Sequence, residues 1–351
     1  MLRLERRPLP SRTWSVASPL LAVALTVVLG IGLFALLDKD PWAALRIFFW
    51  EPMRDARAWS ELLLKATPLM LIALGLAIGF RSNVWNIGAE GQFGIGAVCA
   101  GGVALALKGA TMPVWPLVLL AGVAGGWAWA ALVAVLRDRF HANEILVSLM
   151  LVYVAVQVLN YLVYGPWKDP LGFNFPQTER FDATALVPRL FTGLRVHVGL
   201  ILALLAVLAT WLFMTRTLAG FAQQVGGVAP AAARYAGFSS RAALWVAMSV
   251  SGALAGLAGA LEVAGPVGQL TPHVPVGYGF AAIIVAFVGR LHPLGIVGAA
   301  WLMSLLVIGG ELAQSRLGLP KSITGVFQGL LLFALLACDT LIHYRVRWRR
   351  A

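Results

Sequence analysis

Long apolar runs alternate with short polar punctuation along the whole chain. A membrane-crossing helix needs about 20 consecutive, mostly apolar residues. Ten runs meet or approach that length, at roughly 15–37, 60–80, 87–107, 114–136, 142–164, 196–214, 242–262, 277–290, 294–311 and 322–341. The eighth is short enough to be a half-helix. The pattern predicts an all-α, polytopic transmembrane bundle of about ten helices, one or two of them broken or halved. It is continuous rather than alternating in segments of about ten residues, which excludes an outer-membrane barrel. The first run follows a basic stretch but exceeds a signal-peptide core of about 7–15 residues. It is followed by Asp38, Lys39, Asp40 and Pro41 rather than a small-residue cleavage motif, so it reads as an uncleaved first helix.

Composition sharpens this reading. Of 351 residues, 60% are hydrophobic and 12% charged, about half the charged fraction of a soluble domain, so a water-soluble surface is out of reach. The formal net charge of +12 is explained by topology. With ten spans and the N-terminus inside, the cytoplasmic segments collect fifteen Arg, against four acids (Glu5, Asp138, Glu144 and Asp339). The other side receives twelve cations and ten acids. Short loops rich in Lys and Arg remain inside, which places both termini in the cytoplasm of a bacterial inner (plasma) membrane. The tails, 1–14 and the basic 342–351, then face anionic lipid headgroups, and no nucleic-acid partner is needed. Cys99 and Cys338 each lie in an apolar run and read as small hydrophobes. His141, His197, His273, His292 and His343 have no ligand spacing. No phosphate-cradling Gly-Lys-Ser/Thr loop occurs. The chain is therefore expected to hydrolyse no nucleotide itself and to carry no metal or other cofactor.

Three interruptions of the apolar pattern carry the chemistry. In the first, Phe80 to Gln92, Asn83, Asn86, Glu90 and Gln92 stand among apolar residues and glycines. Polar groups at membrane depth are costly and usually face a bundle interior or a wet cavity, and discontinuous helices mark substrate sites in many transporters. The plainer alternative is a loop and helix start, with Asn86 as N-cap and Glu90 in the first turn. Asn143 and Glu144 present the same choice at the fifth span, between capping it and facing the pathway. The second interruption, Thr215 to Arg241, is too polar to span. Pro230 suits a helix start, Ala231 to Ala236 tolerate helix, and Gly237 ends it. The result is a short helix of about two turns that either rests on lipid or docks in a partner's groove, and its low charge favours docking. In the third, Gly252 and Gly256 stand at the spacing that lets helix backbones approach, joined by Gly259. Glu262 and Gln269 follow near the outer mouth, either contacting solute or solvated at a helix end. Gly75 with Gly79 and Gly122 with Gly126 read as packing pairs. Trp at span ends forms an aromatic belt, and 38–60 reads as an outer interfacial helix.

Together these segments resemble the permease subunits of ATP-binding cassette (ABC) importers, in the branch of ribose-type and branched-chain amino-acid permeases. Within it they are most similar to the nucleoside or simple-sugar permeases that work with basic-membrane-protein-type lipoproteins. Asn86 to Gln92 reads NIGAEGQ, the signature of that group. Asn143-Glu144-Ile145 followed by Leu149-Met150-Leu151 resembles its next signature, Gly227 to Gly237 its coupling segment, Gly252 to Ala260 its small-residue helix, and Gly277 to Phe280 the turn after it. The likeness covers roughly residues 60–335. It departs where Gln224, Val225 and Gly226 precede Gly227 in place of the common Arg-Ala, and where Val152 stands for an Asn, which bears on ATPase contact and on the exact solute.

The resemblance implies a single transmembrane permease domain over 1–351 that forms the translocation pathway for nucleosides without being an enzyme. Its implied partners are a cytoplasmic ABC ATPase, a second similar permease subunit in a heterodimer, and a substrate-binding lipoprotein or periplasmic protein. The candidate pathway residues are Asn86, Glu90, Gln92, Asn143, Glu144 and Gln269. The coupling candidates, in the 215–241 loop, are Gly227, Pro230, Ala232, Ala233 and Gly237, and the packing candidates are Gly252, Gly256 and Gly259. A ribose, simple-sugar or branched-chain amino-acid permease is the alternative. An ion-coupled secondary transporter fits less well, because only Glu90 stands as an ionisable residue within the bundle.

Overall fold

The computed structural model describes residues 2–6 and 12–348. The helices in chain order are α1 (Arg12–Leu36), α2 (Pro41–Leu45), α3 (Ala56–Arg81), α4 (Ala89–Ala106), α5 (Trp115–Phe140), α6 (Glu144–Tyr164) and α7 (Gly199–Arg216). They continue with α8 (Leu218–Val228), α9 (Pro230–Tyr235), α10 (Ser240–Glu262), α11 (Tyr278–Val288), α12 (Pro293–Leu317) and α13 (Ser322–His343). Among the described residues, nine helices are long and apolar enough to cross a membrane, and α11 is a shorter apolar helix. The chain is thus an all-α helical membrane protein, and the half-helix expected at 277–290 is α11.

Local sequence explains several boundaries. Asn143 caps α6, accepting from Ile145 N at 2.9 Å. Ser239 caps α10, accepting from Ala242 N at 3.2 Å. Thr217 begins α8 by accepting from Gly220 N at 3.0 Å. Each supplies an acceptor for an amide that has no partner inside its helix.

The chain forms two compact units. The first comprises Met1–Leu62 and Leu302–Ala351. In it α1 packs along α13, with Phe34, Phe48 and Phe327 fully buried and the Phe48 and Phe327 ring centroids 4.5 Å apart. The tails expected at 1–14 and 342–351 fall partly outside the described residues. What is described of them differs from a plain tail: β1 (Leu2–Arg6) pairs antiparallel with β2 (Tyr344–Trp348), Leu4 opposite Val346. The interfacial segment at 38–60 is not one helix. It consists of α2, a π-helical turn at Arg46–Trp50 and a 3-10 turn at Glu51–Met53.

The second unit is Leu63–Trp301. Its centre is the trio α4, α5 and α10, held at backbone contact by small residues. A Cβ on Gly256 would strike Gly122 O and lie 2.8 Å from Gly126 Cα. A Cβ on Gly126 would lie 2.5 Å from Gly256 Cα. No larger side chain fits between these helices, so dispersion contacts replace the hydrophobic drive that lipid cannot supply.

Candidate functional site

The break between α3 and α4 covers residues 82–88, and its buried members include Ser82, Val84 and Asn86. Non-helical backbone at this depth persists only where protein or water covers it. Asn86 organises the covering. Its Nδ2 donates to Gln92 Oε1 and to Ser251 Oγ, each at 2.8 Å. Its Oδ1 accepts from Gly88 N and from Gln92 Nε2, each at 3.1 Å. The two side-chain amides therefore pair reciprocally, and a hydroxyl from α10 joins them. Asn86 is not the N-cap of α4. Gly88 holds that position without a side-chain bond, because Asn86 lies two residues earlier and closes a local turn onto Gly88 N. Ile87 N donates to Ser148 Oγ on α6 at 3.3 Å.

Glu90, in the first turn of α4, serves a different helix. One carboxylate oxygen accepts from Gly277 N at 2.7 Å and the other from Gly279 N at 2.5 Å. These amides open α11, whose N-terminal donors have no partners of their own. Residues 268–277 are irregular, with a turn at Thr271–Val274, and run along α4 toward that point. Leu270 packs on Gly101, and Pro275 Cγ lies 3.8 Å from where a Gly94 Cβ would be. A Cβ on Gly279 would stand 2.6 Å from Glu90 Cα, so a glycine there admits the close approach. The far end of α11 is held by aromatic stacking, with the Phe287 ring 5.2 Å from Phe80 and 6.2 Å from Trp85.

The remaining polar candidates lie elsewhere. Glu144 is buried and forms an ion pair with Arg137, and Asn143 is spent on capping. Gln269 Nε2 donates to Gln177 Oε1 at 3.1 Å. It belongs to a seam in which the segment before α7 is bound to the stretch after α10, by Thr178 N to Leu270 O, Phe181 N to Gly268 O and Val187 N to Ala264 O, all at 2.8–3.0 Å. Burial at the edge of that segment lowers the His197 imidazole to about 4. Its Nδ1 accepts from Gly199 N at 3.0 Å, as the neutral ring requires.

At the other end of this unit the 215–241 segment holds two helices where one was expected. Thr217 supplies the cap that starts α8, a local signal that composition alone does not register. Gln223 Nε2 donates to Ala243 O at 3.1 Å, and Gln224 Nε2 to Met214 O at 2.7 Å. Arg81 Nη1 reaches Gln224 Oε1 at 3.3 Å. Gly227 lies against Arg81 O and Ser82, where a Cβ would come within 3.1 Å of the Ser82 carbonyl carbon. Pro230 opens α9, and Gly237 ends the turn after it with φ 83°. Ala233 faces inward, whereas Ala232 and Tyr235 are exposed, Tyr235 at 97%.

The structure therefore joins Asn86 and Gln92 into one network with Glu90 adjacent, and leaves Asn143, Glu144 and Gln269 apart from it. Gly252 packs against Ala130 and Gly126, and Gly259 against Phe93 O. Val152 is buried, its Cα 3.0 Å from where a Gly91 Cβ would be. Ser251, Ser148 and Arg81 join these networks without standing out in the sequence, and Gln224 stood out only as a departure from the family pattern. No group of three or more His, Cys, Asp or Glu suited to a metal is found among the described residues.

Comparison with known proteins gives this arrangement its context. The profile described as branched-chain amino acid transport system / permease component matches residues 59–336. A glucose ABC transporter permease protein, TsgB13 of Haloferax volcanii, is 33% identical over 97% of this chain and 92% of its own length. The guanosine ABC transporter permease protein NupP of Bacillus subtilis is 31% identical over 76% of this chain and 77% of its own. The nucleoside ABC transporter permease protein NupB of Lactococcus lactis is 27% identical over 92% of this chain and 91% of its own. No solved structure matches the chain.

Proposed function

This chain belongs to the family of branched-chain amino acid transport system permease components and is a multi-pass ABC transporter permease subunit, and on that footing we propose that it forms the pathway of a nucleoside importer. The observation that carries the mechanism is the exposed α9, which follows directly on the end of α8, where Gly227 rests on the Arg81–Ser82 backbone. That backbone leads directly into the Asn86 network. A push on α9 by a cytoplasmic ATPase would bear on the α3–α4 break, and the break adjoins α10 through Ser251 and α11 through Phe287. A permease of this kind needs no catalytic residue, only two helix arrangements whose balance a bound nucleotide shifts by its differential affinity for them.

In this reading Gly227, Pro230, Ala232, Ala233 and Gly237 form the coupling surface, and both termini share the cytoplasmic side with it. Asn86, Glu90 and Gln92 shape the pathway by holding its walls. Asn143 and Glu144 fix the start of α6, and Gln269 fixes the outer seam. Gly252, Gly256 and Gly259 keep the α4–α5–α10 trio rigid. The partners are an ABC ATPase, a second permease subunit and a substrate-binding lipoprotein or periplasmic protein. Two guanosine ABC transporter permease proteins of one organism, NupP and NupQ of Bacillus subtilis, are both similar to this chain, which supports a heterodimer. NupP and NupB support nucleosides as cargo, together with the NIGAEGQ signature. A sugar is the second reading, favoured by the long alignment with the glucose permease.

The test is ATP-driven uptake by the reconstituted complex, with radiolabelled guanosine and glucose compared side by side. Guanosine accumulation is expected. Glucose accumulation with guanosine inert overturns the nucleoside reading and installs the sugar one. Pro230→Asp is expected to leave ATP hydrolysis running while uptake is lost, and normal uptake by that variant removes the coupling assignment.

A further inference from the structure

We propose that Glu90 is a positioning residue whose carboxylate clamps the start of the half-helix α11 to the start of α4, and so holds α11 in its packed arrangement. The inference deepens the permease reading above and rests on it only for the uptake measurement described last.

Four observations converge. α11 has 11 residues, about 16 Å of helix, too short to cross a bilayer core of about 30 Å. Its N-terminal amides therefore fall at membrane depth, where no bulk water completes them. Glu90 meets two of them, Gly277 N at 2.7 Å and Gly279 N at 2.5 Å, and is itself 4% exposed. Gly279 lacks the Cβ that would strike the α4 backbone. The chain on either side of α11 is built to turn: Gly277 has φ 91°, and Arg290 and Leu291 have φ 59° and 52°.

Both carboxylate oxygens are occupied by backbone donors, so the group that looks most like a solute ligand in the sequence is instead an internal cap between two helices. α11 is the one short apolar helix in this unit bounded by such turns. Its N-terminal end is held by the Glu90 hydrogen bonds and by Tyr278 packed on Phe93, and its C-terminal end by the Phe287 stack on Phe80 and Trp85. Releasing Glu90 removes the polar part of the N-terminal hold and loosens that end of α11.

The experiment uses the full chain in its complex, with Cys99 and Cys338 replaced by Ala and a reporter thiol introduced as Ala282→Cys. Ala282 is fully buried one turn into α11, so the thiol is silent while the helix is packed. In the parent, labelling by a bulky hydrophilic maleimide is expected to be slow. Glu90→Ala should accelerate it about tenfold, equivalent to about 1.4 kcal/mol of lost clamping. Added formate should return the rate toward that of the parent, because it restores a carboxylate to the vacated donors. Glu90→Gln keeps one acceptor and leaves no cavity, so it should label at an intermediate rate insensitive to formate. It also carries the test if Glu90→Ala fails to reach the membrane. Unchanged labelling in either variant overturns the clamp, as does an acceleration in Glu90→Ala that formate does not reverse. Uptake should follow the same pattern of loss and rescue. Formate-reversible labelling in Glu90→Ala, with a parent that shows no ATP-driven uptake, keeps the clamp and overturns the permease mechanism.

Discussion

The start of α4 and the α8–α9 segment both interrupt an apolar chain with polar and small residues, and they meet opposite fates. Around Asn86 polar groups turn inward and satisfy one another: amide against amide, hydroxyl against amide, carboxylate against two backbone N–H groups. Around Pro230 the same kind of low-charge sequence turns outward. Val228 is 86% exposed and Tyr235 97%, while Gln223 and Gln224 fasten the base of the segment to α10 and α7. The first region is rigid because each buried polar group would be costly if left unmade. The second has little to lose from substitution within this chain, so in the proposed reading what its exposed residues contribute comes from a partner.

Substitutions should separate the two regions by size of effect. The largest is expected where helices meet at backbone contact. Gly256→Leu has no room against Gly122 and Gly126 and should cost at least about 3 kcal/mol, read as loss of monodisperse protein after mild solubilisation. Acid comes next. His197 takes up a proton near 6.5 when unfolded but only near 4 when folded, so the unfolded chain binds more protons between those values. Stability should therefore be intact above about pH 6.5 and fall as the pH drops toward 4, by about 3 kcal/mol in all. Thermal unfolding across that range would show it, and His197→Gln should flatten the slope. Asn86→Leu removes the acceptor for Gly88 N and strands Gln92 and Ser251, and should cost about 2 kcal/mol, seen as a lower melting temperature. Tyr235→Ser should shift stability by less than about 0.5 kcal/mol while reducing co-purification of the ATPase. If it instead destabilises as much as Asn86→Leu, the contrast between the regions fails.

The same contrast shows how far local sequence reaches. The α6 cap at Asn143, the α9 start at Pro230 and the turn at Gly237 depend on neighbours a few residues away, and each was legible. The second helix of the 215–241 segment was missed because Thr217 acts through one hydroxyl in a stretch whose composition is unremarkable. Asn86 read as a pathway group, with an N-cap as the plainer alternative that its spacing to α4 allowed. Its actual partners include Ser251, 165 positions distant, and no linear pattern marks that pairing. Glu90 read as a pathway group because an acid in an apolar run suggests a ligand, while the amides that claim it lie 187 and 189 positions away.

What the sequence determined by itself is the class of molecule and its rhythm. Runs long enough to cross a bilayer, too few charges for a water-facing surface, a half-length apolar run before α12, and a signature shared with ABC permeases can all be read residue by residue. Each is a sum over neighbours or a short ordered motif. What only the tertiary structure decided is which polar groups complete one another: the Asn86–Gln92–Ser251 network, the Glu90 bridge to α11, the seam joining Thr178 to Leu270, and the seat of Gly227 on Arg81. Those pairings depend on where helices far apart in sequence come into contact. In an apolar medium that placement is set by the fit of small residues such as Gly126 and Gly256, whose close approach only the folded backbone reveals.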